Sequence, residues 1–244
     1  MSETFTIAVI APSLLNTNGD AENARVLARR AEWAGAIATI VPVETATDLP
    51  ETVDAVVIGS GSDADLVPAR DLLLQIQEQL RVWSTSGVPI LAVGTGWELI
   101  SWGVERTIGG VVEGLGILAG RGVPRQERVS GDVVLTSRFG RIVGFENHAR
   151  DYVGAEGSPL GRVLRGSGNG RDSSQEGVVM GDVIGTHLHG PVLAKNPALA
   201  DHLLTSMFER RGLTYRRGER AASVDDYAVA ARNQILTGLG LEAD

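Results

Sequence analysis

The chain has 244 residues, 43% of them hydrophobic and 21% charged, and a formal net charge of −8, which is long enough to bury a large core. The acidic balance argues against nucleic acid or an anionic membrane surface as main partner, and no apolar run approaches a bilayer span, so a soluble cytoplasmic protein is expected. There are no cysteines, which excludes disulfides, thiolate metal sites and a cysteine nucleophile.

The first element is "FTIAVIAP", an apolar, β-branched run that reads as the opening strand of a doubly wound sheet. A turn at Asn18, Gly19 and Asp20 leads to a helix over Ala21 to Ala34, with Val26, Leu27 and Ala31 apolar and Arg25, Arg29 and Arg30 facing out. "AIATIVPV" and "DAVVIGSGSD" supply a second and a third strand, the third ending in a small-residue loop, Gly59 to Asp63. Pro68 suits the start of a helix running to about Thr85, with Leu72, Leu73, Ile76, Leu80 and Trp83 as its buried stripe. Next comes "ILAVGTGWELI", a strand over Ile90 to Val93, a glycine turn, and a helix over Trp97 to Ser101. Strand–helix alternation of this kind indicates a parallel sheet, whose chemistry gathers beyond the carboxyl ends of the strands.

After Ser101 the pattern changes to short glycine-punctuated strands, "GDVVLTS", "RIVGFEN" and "GVVMGDVIGTHLHG", with "RGSGNGRDSSQEG" as a loop too polar to pack. Helices follow from Pro197 to about Arg210 and from roughly Val224 to Leu236. The absence of repeats and of a long linker predicts one domain over residues 1–244, with a helical extension from about 224.

Four stretches could carry chemistry. A strand–sharp turn–helix junction is where α/β enzymes expose a nucleophile, yet the apex here is Gly94, which has no side chain. Gly59 to Asp63 could hold an anion on backbone N–H groups, or form part of an oxyanion hole beside the Gly94 turn; alone, such a loop is more often just a strand-to-helix connection. His187 and His189 share one side of a strand, but no Cys, Asp or Glu completes a metal set at recognisable spacing, so neither metal nor cofactor is expected. His189, before Gly190 and Pro191 at an element end, is better placed as a base, whereas Glu146, Asn147 and His148 read as structural more readily than catalytic.

Taken in order, "NGDAENARVLARRA", "VVIGSGSD", "PILAVGTGWELI", "GLGIL", "GDVV", "GFENH", "GSPLG", "GSGNG", "EGVV" and "GTHLHGPVLAKNPALADHLL" resemble a class I glutamine amidotransferase of the CobB/CobQ type. More narrowly they resemble the GatD type of lipid II isoglutaminyl synthase, from about Ile7 to Met207. The resemblance implies a flavodoxin-like three-layer fold with a mainly parallel sheet flanked by helices. It also implies a heterodimer with a MurT-like, ATP-dependent Mur ligase subunit in peptidoglycan synthesis, the glutaminase passing ammonia to the D-glutamate of lipid II.

Residue by residue, the family's nucleophile cysteine falls on Gly94 and its histidine on His189. Arg128 would hold the small-molecule substrate, and Gly59, Ser60 and Gly61 would form the oxyanion loop with the N–H of Thr95. Pro191 stands where many class I relatives carry a glutamate, which implies an acidic residue donated by the partner. The departures are Gly94 itself, Glu98 where the family has glutamine, and the bulky Trp97. These imply a pseudo-glutaminase that supports a ligase fed by free ammonia or another amine. The alternative is an active glutamine amidotransferase whose native nucleophile was replaced at Gly94, or in which Thr95 or a water activated by His189 attacks.

Overall fold

The computed structural model describes residues 3–170 and 173–244. The chain begins with β1 (Thr4–Ile10), α1 (Glu22–Trp33), β2 (Ile37–Val43), β3 (Ala55–Ile58), α2 (Leu66–Gln75), α3 (Gln77–Thr85), β4 (Ile90–Val93) and α4 (Thr95–Ile100). It continues through β5 (Gly103–Glu105), β6 (Val111–Glu113), β7 (Arg121–Ser137), β8 (Gly140–Val153), β9 (Gly161–Arg165) and β10 (Gln175–Glu176). Last come β11 (Val178–Met180), β12 (Val183–Thr186), β13 (Leu188–His189), α5 (Val192–Lys195), α6 (Pro197–Arg210) and α7 (Glu219–Gly238).

One sheet has the order β11-β12-β4-β3-β1-β2 and is parallel except for β11 at its edge. Alternation along β1 sends Phe5, Ile7 and Val9 to one core, with α1 and α6, and Ala8 and Ile10 to the other, with α2, α3 and α4. Strands covered on both faces must be apolar throughout, which is why "AVVI" and "ILAV" carry no polar residue. The result is a three-layer α/β architecture with a mainly parallel sheet flanked by helices.

The second sheet extends the reading of the segment after Ser101. It is largely antiparallel, and the expected short strands merge into a long hairpin, β7 of 17 residues against β8 of 14. The β7–β8 register breaks between Pro124 and Val129, and Arg128 lies in that irregular stretch. β13 pairs with β8 as His189↔Phe145, which ties His189 to this second sheet.

Four expectations need correcting. The helix expected over 68–85 is two, meeting at Ile76, whose backbone (φ −111°, ψ 11°) leaves the helical region while its side chain stays buried. The final helix starts at Glu219 rather than near Val224.

Part of the "RGSGNGRDSSQEG" loop does pack. Asn169 and Glu176 are buried, and Asn169 both accepts from the Gly177 N–H (2.7 Å) and donates to the Gly177 carbonyl (3.2 Å). Satisfied polar groups can be buried at little cost; Arg171 and Asp172 of that loop lie outside the described residues.

Arg30 does not face out. It is 3% exposed and pairs with Asp201 (2.6 Å) on α6 and Asp225 (2.6 Å) on α7. Burial opposes its charge, but the two carboxylates outweigh that and hold the guanidinium above its ordinary value. Breaking a buried pair from one side leaves an uncompensated charge, so Arg30→Ala is expected to cost about 3–5 kcal/mol. Urea unfolding measures this, and an unchanged midpoint would show that the pairing does not hold α1, α6 and α7 together.

Candidate functional site

The junction after β4 is built on a backbone that only glycine adopts freely. Gly94 has φ 51° and ψ −119°, so the chain turns sharply between strand and helix. Three hydrogen bonds clamp the turn. Gly94 N–H donates to the Thr186 carbonyl (2.9 Å), Gly96 N–H to Gly59 (3.0 Å), and Glu98 N–H back to Gly94 (3.0 Å). A Cβ built on Gly94 would point between Ser60 Oγ, 2.6 Å away, and His189 Cε1, 2.8 Å away. The elbow geometry is therefore present, aimed at the histidine, with no side chain at its apex.

His189 is buried, and its Nδ1 lies 3.1 Å from Asp20 Oδ2, with the Asn18 amide at the same distance. A carboxylate can only accept, so the Asp20 contact requires the tautomer with the proton on Nδ1 and Nε2 as the acceptor, whereas the Asn18 amide nitrogen, which can only donate, would require the opposite one. Asp20 is itself fixed by the Gly190 N–H, which donates to Oδ1 at 2.8 Å. An acid facing the histidine thus comes from this chain itself, in Asp20.

The expected residues converge on one cavity of about 270 Å³, somewhat below the roughly 300–1,000 Å³ of drug-sized sites. Ser60, Gly61, Gly94, Thr95, Arg128 and His189 all line it. Gly59 does not: it stands behind the loop, where its carbonyl receives Gly96 and a Cβ would lie 2.1 Å from the Leu15 carbonyl oxygen. The Thr95 hydroxyl donates to the Gly61 carbonyl at 2.9 Å. Arg128 is exposed and donates to Asn147 Oδ1 (2.9 Å), while Asn147 Nδ2 donates to Asn18 (3.3 Å), so the guanidinium connects through two amides to the His189 corner.

The two unusual helix residues part company. Trp97 does not crowd the cavity: it is fully buried, stacks on Tyr152 (centroids 3.8 Å apart) and fits only because position 185 is glycine. Glu98 does line it. Its carboxylate grips Arg150 with both oxygens, at 2.8 and 2.9 Å, and Asp63 accepts from the same guanidinium at 2.6 Å. Burial opposes the Arg150 charge, but Glu98 and Asp63 overcome it and hold the group above its ordinary value. A Cβ at Gly122 would lie 2.5 Å from Glu98 Oε1, so that glycine makes room for the carboxylate.

The neighbouring cluster divides the same way. Glu146 is structural, accepting the Ser167 (2.7 Å) and Gly168 (2.8 Å) N–H groups, whereas Asn147 and His148 line the cavity. His187 and His189 both reach the cavity, but His187 lies sandwiched against His148 (4.1 Å) and edge-on to Trp97 (4.7 Å). Burial first, then the nearby histidines and arginines, push His187 well below the ordinary range, so it is a neutral ring. No group of three or more His, Cys, Asp or Glu suited to a metal occurs among the described residues. Asp20, Arg150 and Ser60 were not singled out as partners from sequence, because each meets its counterpart across 35 or more positions.

Behind His187, the Glu176 carboxylate accepts the His187 N–H at 2.6 Å in full burial. Burial pushes its carboxyl up to about 8 from the ordinary 4.5. The folded chain then keeps a proton that the unfolded chain has lost, so stability falls as pH rises through that window, by up to about 1.4 kcal/mol per pH unit. Glu176→Gln removes this slope, which paired urea titrations of the two chains across the window can check; parallel pH dependences would contradict it.

With this geometry in place, the comparisons with known proteins agree with one another. A CobB/CobQ-like glutamine amidotransferase domain matches residues 6–197. The chain is 33% identical, over 91% of its length and 90% of the relative's, to "Lipid II isoglutaminyl synthase (glutamine-hydrolyzing) subunit GatD" of Staphylococcus aureus. It is 30% identical to the protein of that name from Streptococcus pneumoniae, over 84% of this chain and 81% of the other. In fold it is similar to a solved glutamine amidotransferase, with TM-score 0.55, 20% identity and coverage of 82% and 98%. PurLQS from Thermotoga maritima gives TM-score 0.54, 16% identity and coverage of 86% and 97%. Among the described residues no helix is long and apolar enough to cross a membrane.

Proposed function

The chain belongs to the CobB/CobQ-like glutamine amidotransferase family, and from that premise we propose that it is a GatD-like subunit that no longer hydrolyses glutamine. Its partner is a MurT-like, ATP-dependent Mur ligase, and the joint product is lipid II modified at the D-glutamate α-carboxylate. The support for a GatD-like role is similarity along nearly the whole of two curated subunits of lipid II isoglutaminyl synthase. The single observation that carries the loss of hydrolysis is Gly94, a nucleophile elbow with nothing to attack.

In a cysteine-dependent amidotransferase the thiolate attacks the glutamine Cδ, the C–N bond breaks, the histidine protonates the departing ammonia, and water hydrolyses the thioester. Here the histidine and its carboxylate remain, and in the tautomer that the Asp20 contact requires, Nε2 of His189 is left to take a proton from a nucleophile that is missing. Thr95 is poorly disposed to replace it, because its hydroxyl proton is committed to the Gly61 carbonyl and an alcohol needs a well-placed base. Arg128 at the mouth still offers a fork for a carboxylate. The cavity then serves as a support for the ligase interface or a pocket for a small carboxylate, and the amine enters as free ammonia or another amine.

The test follows the nitrogen. With the chain and its ligase reconstituted on lipid II and ATP, label from 15N-ammonium is expected in the product, and label from amide-15N-glutamine is not. Transfer from glutamine at a rate comparable to that from ammonium would overturn the reading.

A further inference from the structure

The crest of the loop after β3 is a triplet in which only the middle residue can carry a side chain. A Cβ at Gly59 would stand 2.1 Å from the Leu15 carbonyl oxygen and one at Gly61 2.6 Å from that of Leu14. Ser60 between them is anchored through its carbonyl, which accepts the Thr17 N–H at 2.8 Å. Its side chain therefore has a fixed origin, and it is 6% exposed. Ser60 Oγ occupies the volume that a side chain at Gly94 needs, since a Cβ there would meet Oγ at 2.6 Å and Ser60 Cβ at 2.9 Å. The same oxygen takes the Thr95 N–H, at 3.4 Å, and stands 3.5 Å from the Thr95 hydroxyl.

We propose that Ser60 closes the elbow: its hydroxyl stands in the space that a side chain at position 94 needs and engages the Thr95 amide that would stabilise an oxyanion. The inference rests on the reading of Gly94 as a vacated nucleophile position, and adds that the vacancy has been closed rather than left open. An oxyanion-hole donor engaged by a serine hydroxyl cannot meet a developing negative charge without displacing that hydroxyl, and losing one such donor costs roughly 100- to 1,000-fold in rate. Restoring a thiol at position 94 is therefore insufficient, and Ser60 is the residue that specifies a closed site.

Two measurements test this, and the second does not depend on restored catalysis. Because the chain contains no cysteine, Gly94→Cys installs a single thiol. Ammonia release from glutamine is expected to be at least about 100-fold faster in Ser60→Gly/Gly94→Cys than in Gly94→Cys alone. Equal rates in the two variants, whether both fast or both nil, would overturn the proposal.

The second is a stability cycle with Gly94→Ala, Ser60→Gly and the double variant, read as melting temperatures. Backbone strain at φ 51° and the His189 ring at 2.8 Å are present in both arms, so the cycle isolates Ser60. The fall in melting temperature caused by Gly94→Ala is expected to shrink in the Ser60→Gly background; additive shifts would overturn the proposal. Hydrolysis of glutamine by the unaltered chain would instead remove the pseudo-glutaminase reading, leaving the coupling between Ser60 and position 94 to be judged by the cycle.

Discussion

The site depends on a clamped turn at Gly94. Its N–H is held by Thr186 at the end of β12, its carbonyl by Glu98 in the next helical turn, and the following Gly96 by Gly59 after β3. Three neighbouring strands of the parallel sheet thereby fix one backbone at a conformation that L-residues rarely adopt. Everything else is arranged around that point. The β3 loop faces it from one side, His189 enters from the second sheet on the other, and the Thr95 amide follows it in the chain. The scaffold stands with no side chain at its apex, because the hydrogen bonds that impose the turn belong to the backbone.

The compensations lie in paired residues far apart in sequence. Glu98 would be an uncompensated charge in a buried helix but for Arg150, and its carboxylate fits beside β7 only because position 122 is glycine. Trp97 likewise needs Gly185 and finds Tyr152 to stack on. These are complementary pairs, so the residues around the elbow form a consistent local structure. Asp20 belongs to the same logic: the loop after β1 that delivers it also presses its Leu14 and Leu15 carbonyls against Gly59 and Gly61.

Much of this fold was legible in the sequence. Apolar runs such as "AVVI" and "ILAV" declare strands covered on both faces, and Leu72, Leu73, Ile76, Leu80 and Trp83 mark a buried helical stripe whatever the break at Ile76. What composition and spacing miss is long-range pairing. Arg30 has the type and position of an outward-facing helix residue, and only Asp201 and Asp225, more than 170 positions away, make its burial tolerable. Asp20 reads as a turn residue and Ser60 as a loop residue, because their roles exist only once His189 and Gly94 are brought to them. Arg150, one residue beyond Ala149 in "ENHAR", carries no local signal of its tie to Glu98. The elbow itself was legible, since a strand, a glycine and a short helix are contiguous in sequence.

The central claim is that the chain keeps the architecture of a glutaminase without its chemistry. Ammonia release from glutamine by the purified, unaltered chain, followed over many hours at high protein concentration and compared with His189→Ala, tests it most directly. The account predicts no release above the buffer rate and no difference between the two proteins; release that His189→Ala abolishes would contradict it.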